Sequence, residues 1–221
     1  VLSLLIAVYR DPLSRLRGGA SPAIWGGLSA AFCAAAVVFA WPSPPGGGIE
    51  IARTRNFYGI LNVEDDPPGV GPRMRRLHNG RILHGAQFMD PAKKALAATY
   101  YSDGSGVDLA VRQHPRRLAG EPLHIAVVGL GAGTMAALGE RGDTIRFFEI
   151  NSAAETFARR YFTFLEDSRA SVSVVIGDAR LSLERGLRDG TSLAAYDVIA
   201  VDAFSGDAIP VHLLTREAFA L

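Results

Sequence analysis

The chain predicts an α/β fold: a mostly parallel sheet with helices on both faces, preceded by a smaller antiparallel β region and a transmembrane helix segment. Three observations predict it. From residue 123 onward, short apolar runs of strand length alternate with segments of helical character. The first of these runs, His124-Ile-Ala-Val-Val128, empties into the glycine-rich turn Gly129-Leu-Gly131-Ala-Gly133. The runs end on Gly129, Glu149, Asp178 and Asp202. In a parallel sheet the carboxyl ends of the strands share one edge, and ligands bind there.

The elements follow in order. Residues 1–9 are apolar, and 10–17 carry Arg10, Arg15 and Arg17. Residues 23–41 form an uncharged run of 19 with Trp25 and Trp41 near its ends. Such a run is close to the ~20 residues that span a bilayer, with interfacial aromatics in place. A transmembrane span is therefore expected over 1–41, with contact to membrane lipid. The arginines vote for a cytosolic loop before the span, whereas a nucleotide-using domain belongs with its cytosolic cofactor. A membrane location with the following domain on the cytosolic face is the expectation. Residues 42–48, rich in proline and glycine, read as a linker. Residues 49–90 read as a β-rich subdomain, with Asn79-Gly80 as a hairpin turn and 65–69 as a second turn. Residues 91–221 read as the nucleoside-binding domain. Its strands are expected at 123–128, 145–150, 172–176 and 196–201, and its helices at 134–139, 151–166 and 179–188. Both ends read as cut, so a fragment of a longer protein is expected.

Composition narrows the function. Of 221 residues, 48% are hydrophobic and 20% charged, enough apolar content for a packed core. The 23 basic and 22 acidic residues leave a net charge of +1, which argues against a general nucleic-acid binder. Cys33 is the single cysteine, so no internal disulfide forms. The histidines show no metal-ligand spacing, so no metal is expected.

The chemistry concentrates at the expected strand ends. Gly129, Gly131 and Gly133 allow close approach of backbone to a ligand. A dinucleotide fingerprint would place Gly or Ala where Thr134 stands. A glycine turn followed 16 residues after Gly133 by Glu149 suits a nucleoside without a pyrophosphate, with the carboxylate accepting ribose hydroxyls. The adenosyl part of S-adenosylmethionine, or of its decarboxylated form, has that character. Asp178, followed by Ala179, suits either an adenine amino group or a helix N-cap, and both roles are compatible. Asp202 can hold a cationic amine and take its proton. Asp207 serves either the same amine or the turn beside Gly206.

Residues 127–133, Glu149, Gly177-Asp-Ala179 and 197–202 together resemble the spermidine synthase (polyamine aminopropyltransferase) family. Asn79-Gly80 and Gln87 resemble that family's hairpin and the glutamine after it. The resemblance covers roughly 49–221, and the apolar runs in front are similar to those of membrane-fused members. It implies a Rossmann-like, S-adenosylmethionine-type methyltransferase fold. It also implies decarboxylated S-adenosylmethionine as propylamine donor, a small-molecule amine as acceptor, a homodimer, and Asp202 as base. Gln87, Tyr101 and Asp207 are the expected acceptor residues, with His84 and Tyr100 as further candidates. The chain departs from the family pattern at three points. Thr99-Tyr-Tyr-Ser102 stands where a Tyr-His-Glu run is usual. Ser205 stands where the second acid is usual, and Leu130 and Ala132 are neutral. A methyltransferase, and a nucleoside- or polyamine-binding domain of a membrane transporter without turnover, are the competing readings.

Overall fold

The computed structural model describes residues 22–40, 47–69, 71–189, 196–204 and 208–220. The chain divides into two compact units, Val1–Ser43 and Pro44–Leu221. In the first, helix α1 runs Pro22–Ala40. The membrane-spanning expectation is corrected here. Among the described residues no helix is long and apolar enough to cross a membrane. At 1.5 Å per residue the 19 residues of α1 reach about 28 Å, just short of a ~30 Å hydrocarbon core. Gly26, Gly27 and Ser29 dilute its apolar surface, and its alanines each contribute only one methyl. The expected membrane location is corrected with it, and the expected lipid contact finds no support among the described residues. The apolar run at 1–9 and the arginine loop at 10–17 lie outside the described residues.

The second unit begins with an antiparallel sheet in the order β1-β2-β3-β4, formed by Ile49–Asn56, Gly59–Asp65, Met74–Asn79 and Ile82–Phe88. The chain folds back at Phe57-Tyr58. Asn56 pairs with Gly59, and Gly59 takes a positive φ of 132°. The turn at Gly80 is as the sequence predicts, with φ at 59° and its N–H bonded to the Ile60 carbonyl at 2.8 Å.

Two short helices, α2 (Gly106–Arg112) and α3 (Pro115–Leu118), lead into the parallel sheet. Neither was expected from the sequence. Ser105 caps α2 by accepting from the Asp108 N–H, and Pro115 starts α3 with its φ already set. The parallel sheet is ordered β7-β6-β5-β8, from His124–Val128 (β5), Thr144–Glu149 (β6), Ser171–Ile176 (β7) and Val198–Val201 (β8). Its register aligns the strand ends: Val128 pairs with both Phe148 and Val201, and Glu149 with Ile176. The fold is α/β as predicted.

Alternate residues of β5 feed opposite faces. Ile125 and Val127 join Ile145, Phe147, Phe157 and Phe164 in the main core, which also takes in Leu61, Val63 and Leu77 of the antiparallel sheet. Ala126, Val128 and Phe148 pack on the other face with Ala179. The expected helix at 151–166 is broken into α4 (Ser152–Tyr161) and α5 (Phe164–Asp167). Phe162 is extended, and the N–H of Thr163 turns away to donate to Oε1 of Gln87 at 3.1 Å. Helix α6 (Ala179–Arg188) follows β7, and a short α7 (Arg216–Phe219) ends the described chain. Residues 134–138 wind as a 3-10 turn rather than the expected α-helix.

The amino edge of the parallel sheet is closed by Asp143. Its carboxylate accepts both guanidinium nitrogens of Arg117, at 3.0 and 2.5 Å, and the N–H groups of Leu123 and Glu140. Burial opposes its ionisation, yet these partners overcome burial and hold the carboxyl below its ordinary range. Asp197 sits at the same edge, its Oδ2 accepting from the His124 N–H at 2.8 Å.

Candidate active site

At the opposite, carboxyl edge a cleft of about 590 Å³ opens within the second unit. The glycine turn forms its floor. Gly129, Gly131 and Gly133 all have positive φ, 100°, 54° and 82°. A Cβ on Gly129 would strike the Asp202 carbonyl, and one on Gly131 would strike the His84 carbonyl. Glycine is therefore required at both places by conformation and by space. Gly129 and Gly131 line the cleft, whereas Gly133 faces Leu165 behind it.

Most of the amides of this turn are consumed inside the protein. Gly129 donates to the Phe148 carbonyl, Leu130 to Glu149 Oε2, Ala132 to the His84 carbonyl and Gly133 to the Leu130 carbonyl. A pyrophosphate cradle needs such donors free and pointing at the ligand. This turn instead presents a close, uncharged backbone, which suits the flat face and ribose of a nucleoside.

Glu149 ends β6 beside the turn and lines the cleft. Its two oxygens accept from Leu130 and Asn151 at 2.9 and 2.8 Å. Burial pushes its carboxyl up, and those amide donors pull against the rise. With the Ile150 amide as a third donor, the carboxylate still has acceptor capacity for a ligand hydroxyl. Asn151 caps α4 through Ala153 and also accepts from Asn56 at 2.6 Å, which ties the β1–β2 hairpin to this corner.

Asp178 caps α6, its Oδ1 accepting from the Leu181 N–H at 2.9 Å. Its Oδ2 lies 3.0 Å from Nε2 of His212. Asp178, Ala179 and His212 line one end of the cleft with Leu213 and Pro210.

Asp202 follows β8 and lines the cleft near the glycine turn. Two phenols aim at its Oδ2: Tyr101 donates at 2.5 Å and Tyr100 at 3.2 Å. Burial raises the proton affinity of the Asp202 carboxyl, and the two phenols restrain the rise by stabilising the anion. Both phenols are pushed above their ordinary range, by burial first and by the Asp202 charge second. They are therefore neutral donors at any working pH.

The structure thus brings Gly129, Gly131, Glu149, Asp178, Ala179 and Asp202 to one cleft, with Tyr101 reaching it through Asp202. Gln87 is placed elsewhere. Its side chain is buried, donating to the Lys94 carbonyl and Thr163 Oγ1 and accepting from the Thr163 N–H. The polar side chain that β4 offers to the cleft is His84, which burial and the neighbouring His78 keep below the ordinary histidine range and so neutral near pH 7. Asp207 lies outside the described residues. Asn79, Asn151 and His212 were not singled out for this site by the sequence. The pair of His212 and Asp178 spans 34 residues, and no local spacing announces it.

Comparison with known proteins adds to this geometry. No known family model matches the chain. The polyamine aminopropyltransferase of Vibrio vulnificus is 37% identical over 100 residues, 44% of this chain and 32% of that protein. The N-terminal histidine N-methyltransferase of Emericella nidulans is 36% identical over 177 residues, 76% of this chain and 30% of that protein. The chain therefore spans about a third of the length of these two curated relatives. The crystal structure of a probable spermidine synthase from Corynebacterium glutamicum superposes with a TM-score of 0.53 at 20% identity, covering 76% of this chain and 57% of that one. The fold is of the spermidine synthase type. The expected Rossmann-like, methyltransferase-type architecture is supported, and so is the spermidine synthase resemblance, without its membrane-fused aspect. Both curated relatives are transferases, in line with the transferase expected from the sequence.

Proposed function

We propose that this chain is the nucleoside-binding part of an alkyl transferase that moves an aminopropyl group from decarboxylated S-adenosylmethionine to the nitrogen of a small-molecule amine. In this reading 49–90 form the cleft's β subdomain and 91–221 the nucleoside domain. One observation carries the reading. A carboxylate with raised proton affinity, Asp202, stands in the cleft directly beside a glycine turn whose own amides are internally consumed.

The residues fit such a donor. Gly129 and Gly131 leave the space that a side chain would fill, and Glu149 offers lone pairs to ribose hydroxyls. Asp178 accepts from an exocyclic amine. The sulfonium supplies an electrophilic carbon and departs as a neutral thioether, so the protein need not stabilise a leaving anion. What it must do is align the nitrogen with that carbon and remove one proton. Asp202 accepts that proton as the C–N bond forms and the C–S bond breaks, the bonding pair going to sulfur. Tyr100 and Tyr101 hold the carboxylate in place through Oδ2, leaving Oδ1 for the amine.

Methyl transfer is the second reading. It is favoured by the neutral Leu130 and Ala132 and by uncharged His84 around the glycine turn, where a propylamine tail would be better served by acids. Its similarity to an N-methyltransferase points the same way. Calorimetric titration of the full chain with both sulfonium donors separates the readings, followed by product analysis with putrescine. Preferred binding of the decarboxylated donor and release of methylthioadenosine support aminopropyl transfer. Preferred binding of S-adenosylmethionine, with a methylated amine as product, supports the second. Absence of binding by either would sink both.

A further inference from the structure

The cleft's nucleoside end contains a contact that the proposed reaction does not use. The side chain of His212 meets Asp178, and the main chain of His212 is held by the same helix. Its carbonyl accepts from Arg180 Nη1 at 3.1 Å, and the same nitrogen reaches Thr215 Oγ1 at 3.3 Å. The 3-10 turn Val211–Leu213 closes on itself through the bond from Leu213 N–H to the Pro210 carbonyl at 2.9 Å. The first residues of α6 therefore grip His212 twice, by Asp178 at the ring and by Arg180 at the backbone.

A carboxylate only accepts, so the ring nitrogen facing it, Nε2, carries a hydrogen. Oδ1 of Asp178 is committed to the helix cap and Oδ2 to the imidazole. With both oxygens engaged, the carboxylate plane cannot turn about its bond to Cβ. The remaining lone pairs then project in fixed directions. Reading a nucleobase amine against a carbonyl requires such a fixed acceptor, since a freely turning carboxylate can move away from the wrong group or be rehydrated.

We infer that His212 is a positioning residue for nucleobase specificity: it locks the Asp178 carboxylate so that the cleft accepts an exocyclic amine and rejects a ring carbonyl at the same place. The inference rests on the adenosyl donor proposed above. Loss of the lock lets the Asp178 carboxylate turn about its remaining cap bond, and the adenine form loses its advantage over the 6-oxo form.

The test uses methylthioadenosine and methylthioinosine as probes, titrated calorimetrically into the full chain. The native protein is expected to prefer the adenine form by at least about tenfold, the worth of one well-placed charge-assisted hydrogen bond. His212→Ala is expected to reduce that preference to within about threefold. His212→Asn, too short to reach Oδ2, is expected to behave alike. His212→Gln, which restores an N–H at similar reach, is expected to recover most of the preference. A merely structural role would weaken both probes by one factor and leave their ratio unchanged. An unchanged ratio in the Ala and Asn variants overturns the assignment, as does tighter binding of methylthioadenosine by His212→Ala. If the native protein binds neither probe, the adenosyl reading and this assignment fall together. That outcome is distinct from a variant that binds both with the native ratio.

Discussion

The parallel sheet carries acids at both of its edges, and the two edges treat them in opposite ways. At the amino edge Asp143 collects a bidentate guanidinium and two amides, and its carboxyl is held below the ordinary range. At the carboxyl edge Glu149 and Asp202 are half-buried with no cation paired to them among the described residues, and burial pushes their carboxyls up. The residue type is the same or nearly so. The difference lies in which backbone groups the strand direction presents and in what covers the edge. At the amino edge partners hold the Asp143 carboxyl down, whereas at the carboxyl edge burial raises Glu149 and Asp202, the acids to which the proposed reaction assigns roles.

The largest effect that tests this contrast is expected at Asp202. Asp202→Asn removes the proposed base and should lower kcat by about 10²- to 10⁴-fold while the donor's Kd stays within about twofold. Turnover at the native rate with normal donor binding would remove Asp202 as base. Next comes Asp143→Ala, which strands Arg117 beside a buried gap and should cost about 3–5 kcal/mol in urea unfolding. The activity per folded molecule should be retained. The pH sign follows from the depressed folded value. Native Asp143 contributes stability above its unfolded pKa, and this is lost as pH falls through the folded one. The Ala variant should therefore show a shallower loss of stability on acidification.

Gly131→Ala probes the turn itself. A positive φ and a clash with the His84 carbonyl should together cost about 1–3 kcal/mol and weaken nucleoside binding. Measuring both stability and nucleoside affinity separates a strained turn from a blocked cleft. Smaller still, Tyr101→Phe removes one of the two donors that restrain the Asp202 carboxyl. Burial is then less opposed, so the Asp202 carboxyl should rise further, and an acid limb of kcat/KM set by the proposed base should move to higher pH. The direction follows from losing a hydrogen bond that stabilises the anion. A profile that stays fixed would show that Tyr101 does not act through Asp202. The smallest effect belongs to Glu155→Ala on the outer face of α4, where its exposed pair with Arg159 should contribute under about 0.5 kcal/mol.

The carboxyl edge was largely legible in the sequence, because its signals are local. Glycines, strand-length apolar runs and the acid ending each run lie within a few residues of one another. The amino edge was not. Asp143 meets Arg117 across 26 residues, and neither stands in a pattern that marks it. The break in the helix after Tyr161 was hidden for the same reason, since it depends on Gln87 reaching Thr163 across 76 residues. That contact also explains why Gln87 is absent from the cleft: its amide is occupied holding α5. The β1–β2 reversal carries little local signal, because Phe57 and Tyr58 are strand formers and only Gly59 favours a turn. The uncharged run at 23–41 carries a weaker signal than a span requires: among the described residues no helix is long and apolar enough to cross a membrane.

The His84 carbonyl accepts the Ala132 N–H at 3.2 Å, and the same carbonyl stands where a Cβ on Gly131 would go. A strand of the antiparallel sheet thus supplies part of the mould in which the glycine turn sets. Transplanting the parallel half into another scaffold without β4 would leave that turn unsupported on one side. The portable unit for engineering or recombination is consequently the turn together with β4, although 40 or more residues of chain separate them in the sequence.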